Sequence, residues 1–254
     1  LSRGLGDVYK RQVFICLLPF LNFKLPNKKY LLPLFGFGIS MGMSVNLFLY
    51  LSVNASNILS PIVIGAQLSI PIAIIISSIF IGENISKKKW ILIFTSFLGI
   101  IIIFFDPKLT ENYLGLFFAS LMALFFGLAQ VYSRQLKELP ISMINASTGI
   151  FGFVTLIIIS AFIEGNVQKN IEQIDFESWM LISYQAVIVS LCAHLLMFYL
   201  YKFYTVGKIF PFYSLFPIFG IILTYIVFGE VPTILFILGG LIVFTSVFFL
   251  HKIK

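Results

Sequence analysis

Ile226-Val227-Phe228-Gly229-Glu230 closes one long apolar stretch, and Ile79-Phe80-Ile81-Gly82-Glu83 closes another. Each stretch carries an internal proline, Pro217 or Pro71, lying 13 and 12 residues before its glutamate. Each is followed by one more apolar span. A segment that recurs with the same ending and the same punctuation points to an internal repeat. Whether the two copies face the same way depends on what lies between them.

Hydrophobic residues make up 59% of the 254-residue chain and charged residues 11%, with a mean hydropathy of +1.04. A soluble domain carries about 25% charged residues, so this chain cannot cover itself against water. The composition predicts a single transmembrane bundle. The net charge of +7 is no nucleic-acid signal, because Lys and Arg sit in short clusters between apolar spans. Cys16 and Cys192 both lie within apolar segments, which argues against a disulfide framework and a zinc site. No cofactor is expected. The first twelve residues, LSRGLGDVYKRQ, hold two of the three arginines in a chain that otherwise uses Lys. They read as a non-native or unstructured leader, and the chain as N-terminally truncated.

A bilayer core about 30 Å thick needs roughly 20 apolar residues per helix. Segments 31–52, 57–81, 90–105, 112–133, 139–163, 178–201, 209–229 and 231–250 qualify or nearly so, and Val13–Phe23 reads as the second half of a helix. With the loop holding Lys24, Lys28 and Lys29 on the cytoplasmic side, alternate crossings bring Lys87, Lys88, Lys89, Arg134, Lys137, Lys202, Lys208, Lys252 and Lys254 to that side. Only Lys108 and Lys169 fall outside. That basic bias fixes the orientation. Glu83 then lies at the cytoplasmic face and Glu230 at the outer face, so the matching helices run in opposite directions. The expected fold is all-α: a polytopic membrane bundle of two inverted five-helix repeats, with the first helix missing and about nine spans present. The repeats cover 13–105 and 112–250, and both ends lie inside.

The spans hold scattered polar residues. Ser40, Ser44 and Asn46 lie in 31–52, and Gln67 lies four residues before Pro71. Gln130 lies in 112–133, and Asn145, Ser147 and Thr148 lie in 139–163. Tyr184, Gln185, Ser190 and His194 follow in 178–201, then Tyr213, Ser214, Thr224 and Tyr225 in 209–229. Such groups turn away from lipid, toward the bundle interior or a wet cavity. For Ser and Thr the simpler role is packing or bonding back to the preceding turn. Gln67 and His194 are candidates either for lining a cavity or for structural hydrogen bonding. His194 is the one ionisable residue expected well inside a span, as a proton site or as a neutral imidazole on a backbone carbonyl. No buried Asp, Glu, Lys or Arg is expected beyond residue 13. Pro71 and Pro217 should free carbonyls at mid-depth, suiting a hinge or a binding site. Gly38-x-x-x-Gly42 and Ala119-x-x-x-Ala123-x-x-x-Gly127 read as packing stripes, and Glu83 and Glu230 as structural groups at the membrane edges.

This pattern resembles the EamA-type repeats of the drug/metabolite transporter superfamily. The first repeat is carried by Gly36-Phe37-Gly38, Ala66-Gln67, Pro71 and Gly82-Glu83. In the second, Ile209-Phe210-Pro211-Phe212-Tyr213-Ser214-Leu215-Phe216-Pro217-Ile218-Phe219-Gly220 is similar to a run of the amino-acid-metabolite efflux subgroup. The resemblance implies a substrate path lined by 31–52, 57–81, 178–201 and 209–229, with help from 112–133. It implies substrate contacts from Asn46, Gln67, Gln130, Tyr184, His194, Tyr213 and Ser214, and kinks at Pro71, Pro211 and Pro217. The expected function is inner-membrane export of small polar metabolites, amino acids or related compounds, by alternating access. Neutral amides, hydroxyls and aromatics suit a zwitterion, whereas a sugar phosphate would need buried Lys or Arg and a drug cation a buried carboxylate. Export of other small or lipid-linked molecules, or a non-transporting packing subunit, are the alternatives. The expected partners are a small-molecule substrate and the lipid bilayer, with no nucleic acid and the oligomeric state open. No Gly-x-Ser-x-Gly or His-Glu-x-x-His motif suggests an enzyme.

Overall fold

Helix ends follow directly from local chemistry. Asn27, Ser86 and Thr233 each accept a main-chain N–H through a side-chain oxygen and start a helix, supplying a partner for one otherwise unbonded donor. At the other end, Gly229 has φ +67°, and its N–H bonds the Tyr225 carbonyl at 3.0 Å. A residue with a Cβ rarely adopts that conformation, so the glycine of the Gly-Glu phrase is what stops the helix.

The computed structural model of the chain describes residues 26–57, 59–81, 86–106, 112–163, 175–184, 216–229 and 231–253, with the single positions 188, 192, 196, 199, 200 and 203. The leader, the half-span 13–23, Gly82-Glu83 and Glu230 lie outside the described residues. Among the described residues every regular element is helical and none is a strand. We label the α-helices α1 Lys28–Phe37, α2 Val45–Asn54, α3 Ser60–Gly65, α4 Ser69–Ile81, α5 Lys87–Phe104, α6 Tyr113–Gln135, α7 Ile141–Ile163, α8 Phe176–Tyr184, α9 Phe216–Phe228 and α10 Ile234–Lys252. The run Lys28–Asn54 and helix α6 are long and apolar enough to cross a membrane, and shorter apolar helices occupy Ala66–Phe80, Ile141–Thr155 and Ile234–Leu250.

Helix α5 shows why these elements suit lipid rather than water. Ile91, Phe94, Leu98, Ile101 and Phe105 are exposed, while Ile93, Ser96, Ile100 and Ile103 are buried. Both sets recur every three to four residues, so opposite faces of one helix are apolar, as a membrane-embedded helix requires. Lys87–Lys89 occupy its first turn, where cations oppose the helix dipole. Helix stability therefore does not explain them, whereas a basic loop beside the bilayer does.

The chain forms two compact units: 1–46 with 132–204, and 47–131 with 205–254. In the first unit, α1 continues into a π-helical stretch, Gly38–Ser44, which packs on α7. A Cβ on Gly42 would lie 2.5 Å from the Thr148 carbonyl oxygen, and one on Gly38 would strike the Phe151 ring. The Gly38/Gly42 stripe is thus a packing surface that brings backbones together. At the other end of this pair, Lys29 and Tyr30 both engage the Glu138 carboxylate.

The second unit holds the apolar core: Leu68, Ile70, Ile100, Ile103, Ala123, Phe236, Val243 and Val247. Helices α5 and α10 meet across glycines; a Cβ on Gly99 would come within 2.7 Å of the Gly239 carbonyl oxygen, and one on Gly239 within 2.5 Å of the Gly99 oxygen. Three pairings reveal direction. The Lys28–Ser44 stretch and α7 run the same way, as do the 60–81 segment and α6, whereas α5 and α10 run oppositely.

Candidate functional site

The 57–81 segment is not one helix. Its α-helical ladder ends at Gly65, passes through a 3-10 turn at Ala66–Leu68 and resumes at Ser69. Pro71 lies in the first turn of α4, where a missing N–H is tolerated, but it offers no donor to the Gln67 carbonyl. The Ser69 N–H is shared between the carbonyls of Ala66 and Gln67. Pro71 is fully buried, and Gln67 is 4% exposed. The Gln67 side-chain oxygen Oε1 has no hydrogen-bond partner among the described residues.

This interruption is braced from behind. A Cβ on Gly65 would meet the Ala119 methyl at 3.1 Å, and one on Gly127 would lie 3.0 Å from the Ser69 carbonyl oxygen. Ala119 and Ala123 have no exposed surface. The small-residue stripe of α6 therefore lets its backbone approach both halves of the broken segment, with Gln67 between the two points of contact. Gln130, one turn beyond Gly127, is buried as well and is engaged with a partner.

The remaining expected site residues have separate placements. The Asn46 side chain donates to the carbonyls of Met41 and Gly42 at 2.8 Å each, satisfying acceptors of the π-helical stretch. Tyr184 is 59% exposed at the end of α8. Pro217 lies in the first turn of α9. His194, Pro211, Tyr213 and Ser214 lie outside the described residues. Hydroxyl groups mostly bond back along their own helices: Ser96 to Ile93, Ser147 to Ile144, Thr148 to Asn145 and Thr155 to Phe151. Ser52 instead crosses to the Gly115 carbonyl at 2.7 Å.

Sequence comparison agrees with this all-helical, polar-punctuated bundle: the profile of the EamA-like transporter family matches residues 113–251. The chain belongs to that family. It is therefore a membrane protein of a family of small-molecule transporters. No curated protein matches the chain. One solved crystal structure has a similar fold, with a TM-score of 0.65 at 13% identity, the match covering 100% of this chain and 89% of that one.

One expectation for this EamA-like chain needs correction. Asp106 is a buried carboxylate, 2% exposed. Its side chain accepts a hydrogen bond from the Thr233 hydroxyl, and Thr233 also caps α10 through the Phe236 N–H at 3.2 Å. The acid lies just beyond the end of α5 and beside the N-terminus of α10, where negative charge is favoured. Elsewhere in the same unit, the Asn112 side chain accepts the Asn57 main-chain N–H at 2.6 Å. The preference for an acid at a membrane edge was visible in the sequence, but the partner that buries it lies 127 residues away.

Proposed function

We propose that this EamA-like chain exports small polar metabolites, amino acids or related compounds, across the inner membrane by alternating access. In this reading the bundle has about nine spans in two inverted repeats, with a cytoplasmic C-terminus. The supporting observation is the braced interruption at Ala66–Leu68, which sets a buried amide oxygen with no partner among the described residues inside a largely apolar span. Broken helices of this kind carry substrate sites in inverted-repeat transporters. Gln67 and Gln130 contribute neutral polar groups, and Pro71 marks the kink. Asn46, Tyr184, His194, Tyr213 and Ser214 complete the proposed substrate contacts, with Pro211 and Pro217 as further kinks.

The test is efflux of a panel of amino acids from cells and from proteoliposomes carrying the chain. Export of at least one amino acid, lowered by Gln67→Ala, is the expected result. A chain that moves none of them, in which Gln67→Ala also changes nothing, is a packing subunit rather than an exporter.

A further inference from the structure

We infer that the Gln67 side-chain carbonyl reads a hydrogen-bond donor on the cargo, and that this donor is the primary ammonium group of a zwitterion. The inference rests on the exporter reading and adds the chemistry by which cargo is chosen. Gln67 is 96% buried by its 4% exposure, and its Oε1 finds no donor among the described residues. Its sequence neighbours Leu68 and Ile70 belong to the apolar core with Ile100, Ile103 and Ala123, and their side chains carry no donor. The main chain at the same level loses one donor. Pro71 brings no N–H, and the carbonyls of Ala66 and Gln67 share the one from Ser69. Residue 67 thus presents a buried side-chain oxygen with no donor among the described residues, beside a main-chain carbonyl that Pro71 cannot serve.

A buried acceptor in largely apolar surroundings favours a group whose N–H bonds are strong. A primary ammonium brings three, and charge-assisted bonds are the stronger kind. A hydroxyl brings one and no charge. Residues 60–81 and 113–133 contain no Asp or Glu, so neither segment supplies a carboxylate to balance a net cation. A zwitterion brings its own counter-charge, so an amino acid needs no carboxylate from these two segments. The close contacts at Gly65 and Gly127 brace the backbone on either side of Gln67, which limits the ordering cost on binding.

The experiment uses the full chain in proteoliposomes and three matched probe sets: amino acids, their des-amino counterparts, and their N-trimethyl counterparts, which keep the charge and lose every N–H. The wild-type chain is expected to favour the amino acids by about 10- to 100-fold, the range for a hydrogen bond to a charged group. Gln67→Leu and the unbranched Gln67→Met should each abolish that preference, and a thermal melt identifies which of them is folded. Equal transport of all three sets by wild type overturns the inference and leaves the exporter reading intact. So does a preference that survives in the folded variant. Failure of every probe to move overturns both.

Discussion

Two helix contacts within the same unit solve opposite problems. Helices α5 and α10 meet backbone to backbone at Gly99 and Gly239, and Thr233 holds the carboxylate of Asp106 at the end of the pair. The 60–81 segment also meets α6 closely at Gly65 and Gly127, though a few tenths of an ångström further apart. Its ladder is nevertheless interrupted, and Gln67 Oε1 has no partner among the described residues. The same device, small residues that admit a neighbouring backbone, closes one contact and braces a break in the other. Close packing alone therefore does not mark a site. What separates the two contacts is whether the buried polar groups between the helices have partners.

The largest effect we predict comes from filling the closed contact. Gly239→Val places a side chain against the Gly99 carbonyl, and backbone cannot yield as a flexible side chain would. A loss of about 3 kcal/mol, the upper part of the overpacking range, is expected in reversible denaturation. A loss under about 0.5 kcal/mol, the level of an ordinary surface change, would mean the helices separate easily. Asp106→Ala comes next. It removes a buried acceptor from Thr233 and a favourable charge from the start of α10, with an expected loss of about 2 kcal/mol. Asp106→Asn should lose less, because it keeps an acceptor oxygen.

In the open contact the sign reverses. Gln67→Leu removes a buried carbonyl that has no partner among the described residues and should raise stability by about 1 kcal/mol. If the variant melts lower than wild type, Gln67 is a packing residue and the contrast between the two contacts fails.

The smallest effect belongs to the other unit, at Glu138. The Tyr30 hydroxyl, and after it the Lys29 ammonium at 3.5 Å, hold the Glu138 carboxyl below its ordinary value of 4.5. Because the folded value is depressed, this clasp stabilises fully above the unfolded carboxylate range and is lost as pH falls through the folded value. Lys29 and Glu138 are both exposed, so screening keeps the effect small. Glu138→Gln should narrow the gap in melting temperature between neutral and acid pH. An unchanged gap would show that the clasp has no energetic weight.

How much of this was legible in sequence depends on the distance between cause and effect. The Gly-Glu ending was legible because Gly229 acts on its own backbone, through φ +67°. The break near Gln67 was legible because Pro71 acts four residues back along the same helix. The packing stripes at Gly38/Gly42 and Ala119/Gly127 followed from residue size and spacing. Asp106 was not legible, since its burial depends on Thr233 in a distant helix. The π-helical stretch Gly38–Ser44 was missed as well. The one local signal lay in Asn46, whose amide reaches the Met41 and Gly42 carbonyls, but that reach exists only once the helix has widened. In the structure the Asn46 amide nitrogen serves the widened helix, which leaves its side-chain oxygen for the substrate contact expected from the sequence.

The most direct test of the central claim measures stability and transport on the same Gln67→Leu protein. A site that keeps an unpartnered polar group for its cargo predicts a variant that melts higher than wild type and exports amino acids about 10- to 100-fold more slowly. A variant that melts lower while exporting at the wild-type rate would contradict it.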